Sequence, residues 1–259
     1  NAVHGSDSVE SAARELDFYF NVQQTLAMIK PDAVANGKAD EIITRIENEG
    51  FLIMDRKSVT LTKERAEEFY AEHKGKGFFD ELVEFMCSGP VVALKLEKPN
   101  GIKAWRDLMG PTNFEVAKKE APNSLRALYA SNMTKNATHG SDSISSAVRE
   151  LAFWFGWGSA EQATSLTLAL IKPDAVAAGN APKIVTRIVS EGFTVVELRK
   201  LKLSKERAQA FYAEHKDRGF FGELVDFMCS GDIYALKLRG CDAIKKWRDL
   251  MGPTNFEVA

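Results

Sequence analysis

The sequence is short of cysteine and of long apolar runs. Its three cysteines, Cys87, Cys229 and Cys241, show no CxxC or His/Cys spacing, which argues against a disulfide framework or a zinc site and favours a reducing compartment. No segment approaches the roughly 20 apolar residues that span a bilayer. The first residues are not a basic region followed by an apolar run, so we expect neither a membrane partner nor a signal peptide.

The chain also lacks a large net charge of either sign. The 34 Lys and Arg residues nearly balance the 36 Asp and Glu residues, for a net charge of -2, so no basic surface for nucleic acid is expected. No GxxxxGK[ST] segment is present, so any phosphate group would be held by side chains rather than by a P-loop. With 45% apolar and 27% charged residues, the 259-residue chain is typical of one large or two smaller globular domains.

The most informative feature is an internal repeat. The paired segments, almost identical letter for letter, are 25–51 with 167–193, 61–89 with 203–231, and 103–117 with 245–259. Lys30 and Lys172 are 142 positions apart (172 − 30), as are Gly110 and Gly252 (252 − 110). No gap therefore opens within the matched body of the repeat.

The repeat also predicts the domain organisation, because the phrase NAVHGSDS that opens the chain returns as NATHGSDS at residues 136–143. The expected parts are the tail of a preceding unit at 1–17, one complete unit at 25–152, a linker at 153–166 and a C-terminally incomplete second unit at 167–259. In this interpretation the chain is a piece of a longer array. The alternative is a circular permutation, but joining Ala259 to Asn1 would skip the counterpart of residues 118–135, which permutation does not do. The tail can still complete the second unit in space.

Hydrophobic patterns predict a ferredoxin-like α+β fold for each unit. In the complete unit, apolar or β-branched runs predict strands at 25–29, 51–61 and 90–96, with a late strand near Met133. Amphipathic spacing predicts helices at 39–50, 63–74, 78–86, 101–110 and 143–151, the last capped by Asp142 or Ser143. This order matches the βαββαβ pattern of a ferredoxin-like sandwich, here in tandem repeats.

Several separated phrases occur in an order that resembles the nucleoside diphosphate kinase family. They are TLAxIKPDAV, the FYAEHK and GFF block, the Arg before GPTN, the PNSLR segment and NxxHGSDS, and together they cover the complete unit and both partial ones. The resemblance implies the nucleoside diphosphate kinase fold and a transferase activity. In that reaction the γ-phosphate of a nucleoside triphosphate passes to a nucleoside diphosphate by a ping-pong mechanism through a phosphohistidine. The resemblance also implies Mg²⁺ as cofactor, carried by the nucleotide without a metal site on the protein.

The resemblance further implies the site residues of the complete unit. His139 is the nucleophile, Glu150 is its acidic partner, and Ser141 lies in the same phrase. The residues implied in nucleotide binding are Lys30, Tyr70, Phe78, Arg106, Thr112, Arg126 and Asn136. The chemistry agrees, because histidine offers a neutral ring nitrogen near pH 7, Lys and Arg pair with phosphate oxygens, and an aromatic ring stacks on any base. Taken alone, Tyr70 and Phe78 are more typical of core residues than of ligand contacts, and Lys30 and Arg106 are equally compatible with surface charges. His73 and His215 are interpreted as surface residues.

The partial units repeat only parts of this site. The residues concerned are Lys172, Tyr212, Phe220, Arg248 and Thr254 in the second unit, and Asn1, His4, Ser6 and Glu15 in the tail at 1–17. The segment 167–259 contains no counterpart of His139, Arg126 or Asn136, so we expect the second unit alone to be inactive. If the tail meets the second unit, His4 becomes a second candidate catalytic histidine facing Lys172 and Arg248.

A function of a different class is also open. The segment APNSLRALYASN at 121–132 is longer than in single-domain housekeeping enzymes and resembles the multi-domain branch found in cilia and sperm flagella. The alternative is therefore a structural repeat in an axonemal or other multi-domain assembly, with weak or no activity. Expected partners are nucleoside di- and triphosphates, axonemal proteins, and other units of this family in cis or in an oligomer. We expect the FWFGWG segment at 153–158 to cover part of a contact between such units. We expect a cytoplasmic protein, or one in the axoneme of a cilium or flagellum.

Overall fold

Two compact units make up the chain in the computed structural model, which describes residues 2–156 and 164–253. We name them the continuous unit, residues 22–158, and the split unit, residues 1–21 with 159–259. Each unit contains a four-stranded sheet in which neighbouring strands are antiparallel. No helix within the described ranges is both long enough and apolar enough to cross a bilayer.

The split unit begins with a short strand and a helix, β1 (Val3–Gly5) and α1 (Val9–Phe20). Ser8 caps α1, because its hydroxyl accepts from the Ser11 backbone N–H while the Ser11 hydroxyl accepts from the Ser8 backbone N–H. The buried face of the helix contains Ala12, Leu16, Tyr19 and Phe20. The helix ends at Asn21, whose φ of 50° is a left-handed conformation that asparagine tolerates.

The continuous unit follows. Its strands are β2 (Gln23–Ile29), β3 (Leu52–Thr60), β4 (Pro90–Lys98) and β5 (Thr138–Gly140). Its helices are α2 (Pro31–Ala35), α3 (Ala39–Asn48), α4 (Lys63–Phe69), α5 (Phe79–Cys87), α6 (Gly101–Met109), α7 (Phe114–Glu120), α8 (Leu125–Tyr129) and α9 (Ile144–Phe155). A single turn of 3-10 helix at Ala71–His73 follows α4.

The split unit then resumes. Its remaining strands are β6 (Thr164–Ile171), β7 (Thr194–Lys202) and β8 (Asp232–Cys241). Its remaining helices are α10 (Pro173–Ala177), α11 (Ala181–Ser190), α12 (Lys205–Phe211), α13 (Phe221–Cys229) and α14 (Ala243–Met251). A 3-10 turn at Ala213–His215 follows α12, as one follows α4 in the continuous unit.

The sheet of the continuous unit has the strand order β3-β4-β2-β5. Helices cover both of its faces, since one core contains Ile42, Ile46 and Trp105 and the other contains Phe69, Met86 and Trp154. The central strand β2 is buried between these cores, with residues 26–29 fully removed from solvent. This arrangement is a ferredoxin-like α+β sandwich, and the predicted fold class is confirmed.

The split unit builds the same sheet, but its edge strand comes from the start of the chain. Its strand order is β1-β6-β8-β7, so β1 holds the position that β5 holds in the continuous unit. The register is also the same, because His4 lies opposite Leu170 as His139 lies opposite Met28. Helix α1 packs against β6. Residues 2–20 thus complete the sheet formed by residues 164–253. The unit boundaries given in the sequence analysis, 1–17, 25–152, 153–166 and 167–259, stay predictions.

Several local expectations are wrong. The fourth strand is not near Met133 but at Thr138–Gly140, because Asn132 Oδ1 accepts from two successive backbone N–H groups and folds that stretch into a turn. The helix predicted at 63–74 ends at Phe69, and the one predicted at 143–151 continues to Phe155, into the predicted linker. Residues 157–163 of that linker lie outside the described residues. The short helices α2, α7 and α8 are not predicted by the sequence pattern.

Candidate active site

His139 lies in the middle of the edge strand β5. Its carbonyl oxygen accepts a hydrogen bond from Nε1 of the buried Trp105 at 3.2 Å. The next residue has to be glycine, because a Cβ at Gly140 would lie 2.2 Å from the same Nε1 atom. The tryptophan therefore fixes the backbone that carries the histidine.

A tight turn at Ala137 precedes the histidine. Its φ of 64° is a left-handed conformation that costs a non-glycine residue about 1–2 kcal/mol. Across the turn the Thr138 N–H donates to the Asn136 carbonyl at 2.7 Å, and the Ala137 N–H donates to Asp32 Oδ2 at 3.0 Å. The Ala137 carbonyl in turn accepts from the Lys30 N–H at 2.8 Å. The turn therefore places Asn136 beside Lys30 and lets the chain continue into β5.

Glu150 connects the histidine to a buried serine. His139 Nε2 is 3.1 Å from Glu150 Oε1, and the Ser141 hydroxyl donates to Glu150 Oε2 at 2.6 Å. Ser141 is fully buried and also accepts from the Leu26 N–H at 3.2 Å. Glu150 is 4% exposed on α9, a helix that Ser143 rather than Asp142 caps. Both oxygens of the carboxylate therefore have a protein partner.

This hydrogen bond assigns the form of the histidine ring. Since a carboxylate only accepts, Nε2 carries the proton in the neutral ring and Nδ1 carries the lone pair. Phe69 and Tyr70 hold the ring edge to face, with centroids at 5.3 and 6.1 Å. With 22% of its side chain exposed, His139 is an oriented imidazole that solvent reaches. The sequence alone does not indicate which ring nitrogen carries the proton.

Lys30 is the most deeply buried cation of the site. Its Nζ donates to Asn136 Oδ1 at 2.7 Å, and Asn136 Nδ2 donates to the Met133 carbonyl at 2.8 Å. Burial lowers the pKa of Lys30 to about 7, and the charge of Arg126 lowers it further, while Asp32 opposes both effects. The site therefore contains an ammonium group whose charge responds to pH near neutrality.

Hydrogen bonds from Arg126 connect its own helix α8 to two other segments, residues 110–112 and strand β5. One guanidinium nitrogen donates to the Gly110 carbonyl at 2.9 Å and to Thr112 Oγ1 at 3.3 Å, and the other donates to the Thr138 carbonyl at 3.1 Å. Burial, followed by the charge of Arg106, lowers the pKa of Arg126 to about 10. Arg126 thus stays charged at neutral pH and lies next to the strand of the histidine.

Arg106 supplies an exposed positive charge at the same end of the unit. The pKa of Asp142, the residue directly after Ser141, is held below its usual range mainly by a hydrogen bond with Ser146 and also by the charge of Arg106. The structure therefore brings the predicted residues Arg106, Arg126 and Thr112 to the neighbourhood of the HGSD phrase.

An aromatic row leads outward from the histidine. Tyr70 is buried and stacks on His73 with centroids 6.1 Å apart, and His73 meets Phe78 at 5.6 Å. Within the described residues the Tyr70 hydroxyl has no hydrogen-bond partner, and burial raises its pKa. Phe78 is 48% exposed at the end of the row, as suits a ring on which a base stacks. His73 is thus part of the row rather than an isolated surface residue.

The split unit brings together the corresponding residues of the tail and the second unit. His4 Nε2 is 3.1 Å from Glu15 Oε1, and the Ser6 hydroxyl donates to Glu15 Oε2 at 2.6 Å. Tyr212 is buried beside His4, while Phe220 and Arg248 are exposed and Lys172 is half-buried. Asn1 and Thr254 lie outside the described residues.

Three residues that position the site are missing from the sequence-based set. Asp32 holds the turn at Ala137, Trp105 holds the histidine strand, and Phe69 contacts the imidazole ring. All three are identical between the repeats, at Asp174, Trp247 and Phe211. That identity is the signal that would have identified them, although it does not separate a site residue from a core residue.

The donor set of the site is suited to phosphate oxygens. It consists of an ammonium, two guanidiniums, an amide, hydroxyls and an imidazole, which donate to anions. Among residues 2–156 and 164–253 no cluster of three or more His, Cys, Asp or Glu side chains could hold a metal ion. These residues fit Mg²⁺ as part of the substrate, bound to nucleotide oxygens.

Known proteins have sequences similar to nearly the whole chain. The thioredoxin domain-containing protein 3 homolog of Heliocidaris crassispina is 40% identical over 275 residues, covering 100% of this chain and 32% of that protein. The nucleoside diphosphate kinase homolog 7 of Mus musculus is 35% identical over 244 residues, covering 92% of this chain and 61% of that protein. This chain therefore spans less than two thirds of either relative.

Shorter relatives match one unit. The nucleoside diphosphate kinase of Histophilus somni (strain 2336) is 48% identical over 134 residues, covering 52% of this chain and 93% of that protein. The crystal structure of the Aquifex aeolicus nucleoside diphosphate kinase superposes with a TM-score of 0.51 at 48% identity, covering 52% of this chain and 95% of that one. The family model for nucleoside diphosphate kinase matches residues 23–159 and 165–259. On the fold, the matched segments and these relatives, the chain belongs to the nucleoside diphosphate kinase family.

Proposed function

We propose that the continuous unit is a nucleoside diphosphate kinase. It transfers the γ-phosphate of a nucleoside triphosphate to a nucleoside diphosphate through phospho-His139. The observation that carries the proposal is the oriented imidazole of His139, held by Glu150, beside the buried cations Lys30 and Arg126. A purely structural unit has no use for two buried cations next to a partly exposed histidine, because burying cations is costly.

Each residue has a defined role in the proposed reaction. Nδ1 of His139 attacks the γ-phosphorus, and the bond to the bridging oxygen breaks with its electron pair leaving on the diphosphate. Glu150 keeps the proton on Nε2 and stabilises the positive charge that develops on the ring. Lys30, Arg126 and Arg106 neutralise phosphate charge. Mg²⁺, when bound to the nucleotide, supplies further neutralisation of that charge.

The second half of the reaction is the reverse of the first. A nucleoside diphosphate enters the same site and its terminal oxygen attacks the phosphohistidine, which regenerates the neutral ring. Tyr70 and Phe78 serve binding, with Phe78 as the exposed ring for the base. Stacking on such a ring discriminates little between bases, as a reaction between exchangeable nucleotides requires.

The second candidate function is a structural repeat with weak or no activity in a larger assembly. The observation that favours it is length, since this chain covers 32% of one relative and 61% of another. In that case association with other units of the family or with axonemal proteins matters more than turnover. Location in the cytoplasm, or in the axoneme of a cilium or flagellum, remains a prediction under either function.

Phosphate transfer from labelled ATP separates the two functions. The whole chain is incubated with γ-labelled ATP and Mg²⁺, and the acid sensitivity of the protein-bound label is measured. We expect acid-labile label that passes to added nucleoside diphosphate and is lost in His139→Ala, while the control His215→Ala keeps it. No label at saturating nucleotide would contradict the kinase and favour the structural repeat.

A further inference from the structure

Glu150 contacts an arginine in addition to His139 and Ser141. Nη2 of Arg149 lies 3.9 Å from Glu150 Oε1, and the same oxygen lies 3.1 Å from His139 Nε2. The other oxygen, Oε2, accepts from the Ser141 hydroxyl. The carboxylate is buried, whereas 57% of the Arg149 side chain is exposed. A solvent-accessible cation therefore reaches the buried carboxylate that orients the histidine.

A second carboxylate holds the arginine in this place. Nη2 of Arg149 donates to Glu72 Oε2 at 3.0 Å. Glu72 lies in the 3-10 turn at Ala71–His73, two residues after Tyr70, whose ring meets His139 edge to face. The ion pair therefore joins helix α9 to the turn beside the aromatic row.

The split unit shows that this close contact does not follow from the residue types alone. Arg14 and Glu214 are the equivalents of Arg149 and Glu72, and their charged groups are 3.9 Å apart instead of 3.0 Å. The histidine of the split unit nevertheless lies 3.1 Å from its carboxylate, as in the continuous unit. The close ion pair is thus a feature of the continuous unit.

A carboxylate without an opposing cation would act against the proposed attack. At 3.1 Å from Nε2 it favours the cationic ring, in which both nitrogens carry protons and no lone pair is available. A guanidinium beside the same oxygen offsets part of this effect. Because arginine stays charged throughout the range in which histidine titrates, the offset is present over that whole range.

The other ionisable groups on the elements around the ring act from other places. They are Tyr70, Glu72 and His73 at the end of α4, Lys95 on β4, Arg106 and Asp142 beside the HGSD phrase, and the buried cations Lys30 and Arg126. The Lys30 ammonium and the Arg126 guanidinium donate to amide, hydroxyl and carbonyl oxygens. Arg149 is therefore the cation that lies against the orienting carboxylate.

We propose that Arg149 is a positioning residue, which acts through Glu150 to keep the His139 ring neutral as the pH falls below about 7. The inference rests on the proposed function, because a neutral ring matters there for its Nδ1 lone pair, which attacks the γ-phosphorus. Glu72 contributes by holding the guanidinium beside Glu150.

The neutral fraction of His139 can be measured in the whole chain without nucleotide. Diethyl pyrocarbonate modifies only the neutral imidazole, and mass spectrometry follows each of the four histidines separately between about pH 5 and 8. We expect Arg149→Ala to raise the pH midpoint of His139 modification by about 0.2–0.7 unit, as suits a partly exposed charge pair. Arg149→Lys keeps the charge and should keep the midpoint. Arg14→Ala, at the equivalent position of the split unit, is the matched control and should leave His139 unchanged.

A double-mutant cycle tests whether the effect passes through Glu150. In a chain that carries Glu150→Gln, the further change Arg149→Ala should shift the midpoint by less than half as much. An unchanged midpoint in Arg149→Ala alone would overturn the proposal. A shift of equal size in both backgrounds would also overturn it, because Arg149 would then act on the ring directly.

The pH profile of labelling by ATP and Mg²⁺ links the effect to the reaction. Its midpoint should rise in Arg149→Ala by the same amount as that of the chemical modification. A profile that stays in place while the modification midpoint moves would overturn the role in phosphoryl transfer. A failure of the proposed kinase would show differently, as His139 without label at any pH, and the modification experiment would still show whether Arg149 controls the ring.

Discussion

Lys30 and Asn136, 106 residues apart in the sequence, form a 2.7 Å hydrogen bond in which both side chains are almost completely withdrawn from solvent. The ammonium group is next to a second cation, Arg126, and its pKa falls to about 7. A bound polyphosphate brings negative charge to this place and therefore favours the protonated form. Binding and protonation of Lys30 are consequently linked.

We predict that nucleoside triphosphate binding above pH 7 takes up a proton. At pH 8 most Lys30 is neutral in the free protein and becomes charged with nucleotide bound, so up to one proton enters and affinity falls by up to about tenfold per pH unit. Titration calorimetry in buffers of different ionisation enthalpy measures the uptake. Lys30→Met should abolish it, and a binding heat that is independent of buffer in the unchanged chain would contradict the prediction.

Replacing Glu150 by glutamine should slow phosphorylation of His139. The amide keeps the size of the side chain but loses the charge that stabilises the cationic ring, and it keeps only one of the two acceptor oxygens that Nε2 and Ser141 use. We expect a rate loss of about 10- to 100-fold with little change in nucleotide affinity. Stopped-flow labelling measures the rate. Glu15→Gln in the split unit is the matched control, and an equal effect of both changes on His139 would be inconsistent with this role.

Replacing Phe78 by alanine should weaken nucleotide binding without regard to the base. Phe78 is 48% exposed at the end of the aromatic row, and a lost stacking contact is worth about 1–3 kcal/mol per base. KM should rise by a similar factor for purine and pyrimidine diphosphates, while kcat changes little. Phe220→Ala, at the equivalent position of the split unit, serves as control. A rise for one base alone would argue for a different base site.

Replacing Gly140 by alanine should destabilise the continuous unit. The new Cβ would lie 2.2 Å from Trp105 Nε1, so the tryptophan must move and its hydrogen bond to the His139 carbonyl is broken. We expect a loss of about 1–3 kcal/mol in the free energy of unfolding. Urea unfolding followed by tryptophan emission measures it. Gly77→Ala, where no atom lies within 4 Å of the new Cβ, should leave the midpoint unchanged.

The sequence predicts the sheet of the continuous unit well because its two central strands, β2 and β4, are long and mostly apolar. Strand β2 is buried on both faces, so its run of apolar residues is visible without any partner. The three-residue strand β5 carries no such pattern, because only its pairing with β2 makes it a strand, and the prediction near Met133 is displaced accordingly. The five-residue helix α2 is likewise too short for a helical period to show.

The site is predicted in part for a similar reason. His139, Ser141 and Glu150 belong to one phrase, and a strand followed by a helix brings them together locally. Other contacts of the site join segments that are far apart in the sequence, which local sequence patterns cannot predict. They are the hydrogen bond between Lys30 and Asn136 and the hydrogen bonds from Arg126 to Gly110 and Thr138. The left-handed turn at Ala137 also escapes prediction, since alanine gives no signal for that conformation.

The split sheet imposes an order on the synthesis of the chain. Strand β1 pairs with β6, which begins at residue 164, so helix α1 leaves the ribosome well before its acceptor. At about 5–20 residues per second, roughly 7–30 s pass between the synthesis of α1 and that of β6. Strand β2 emerges directly after α1, and its residues LAMI (26–29) nearly equal LALI (168–171) of β6. During synthesis β2 is therefore a competing acceptor for β1 before β6 has been made.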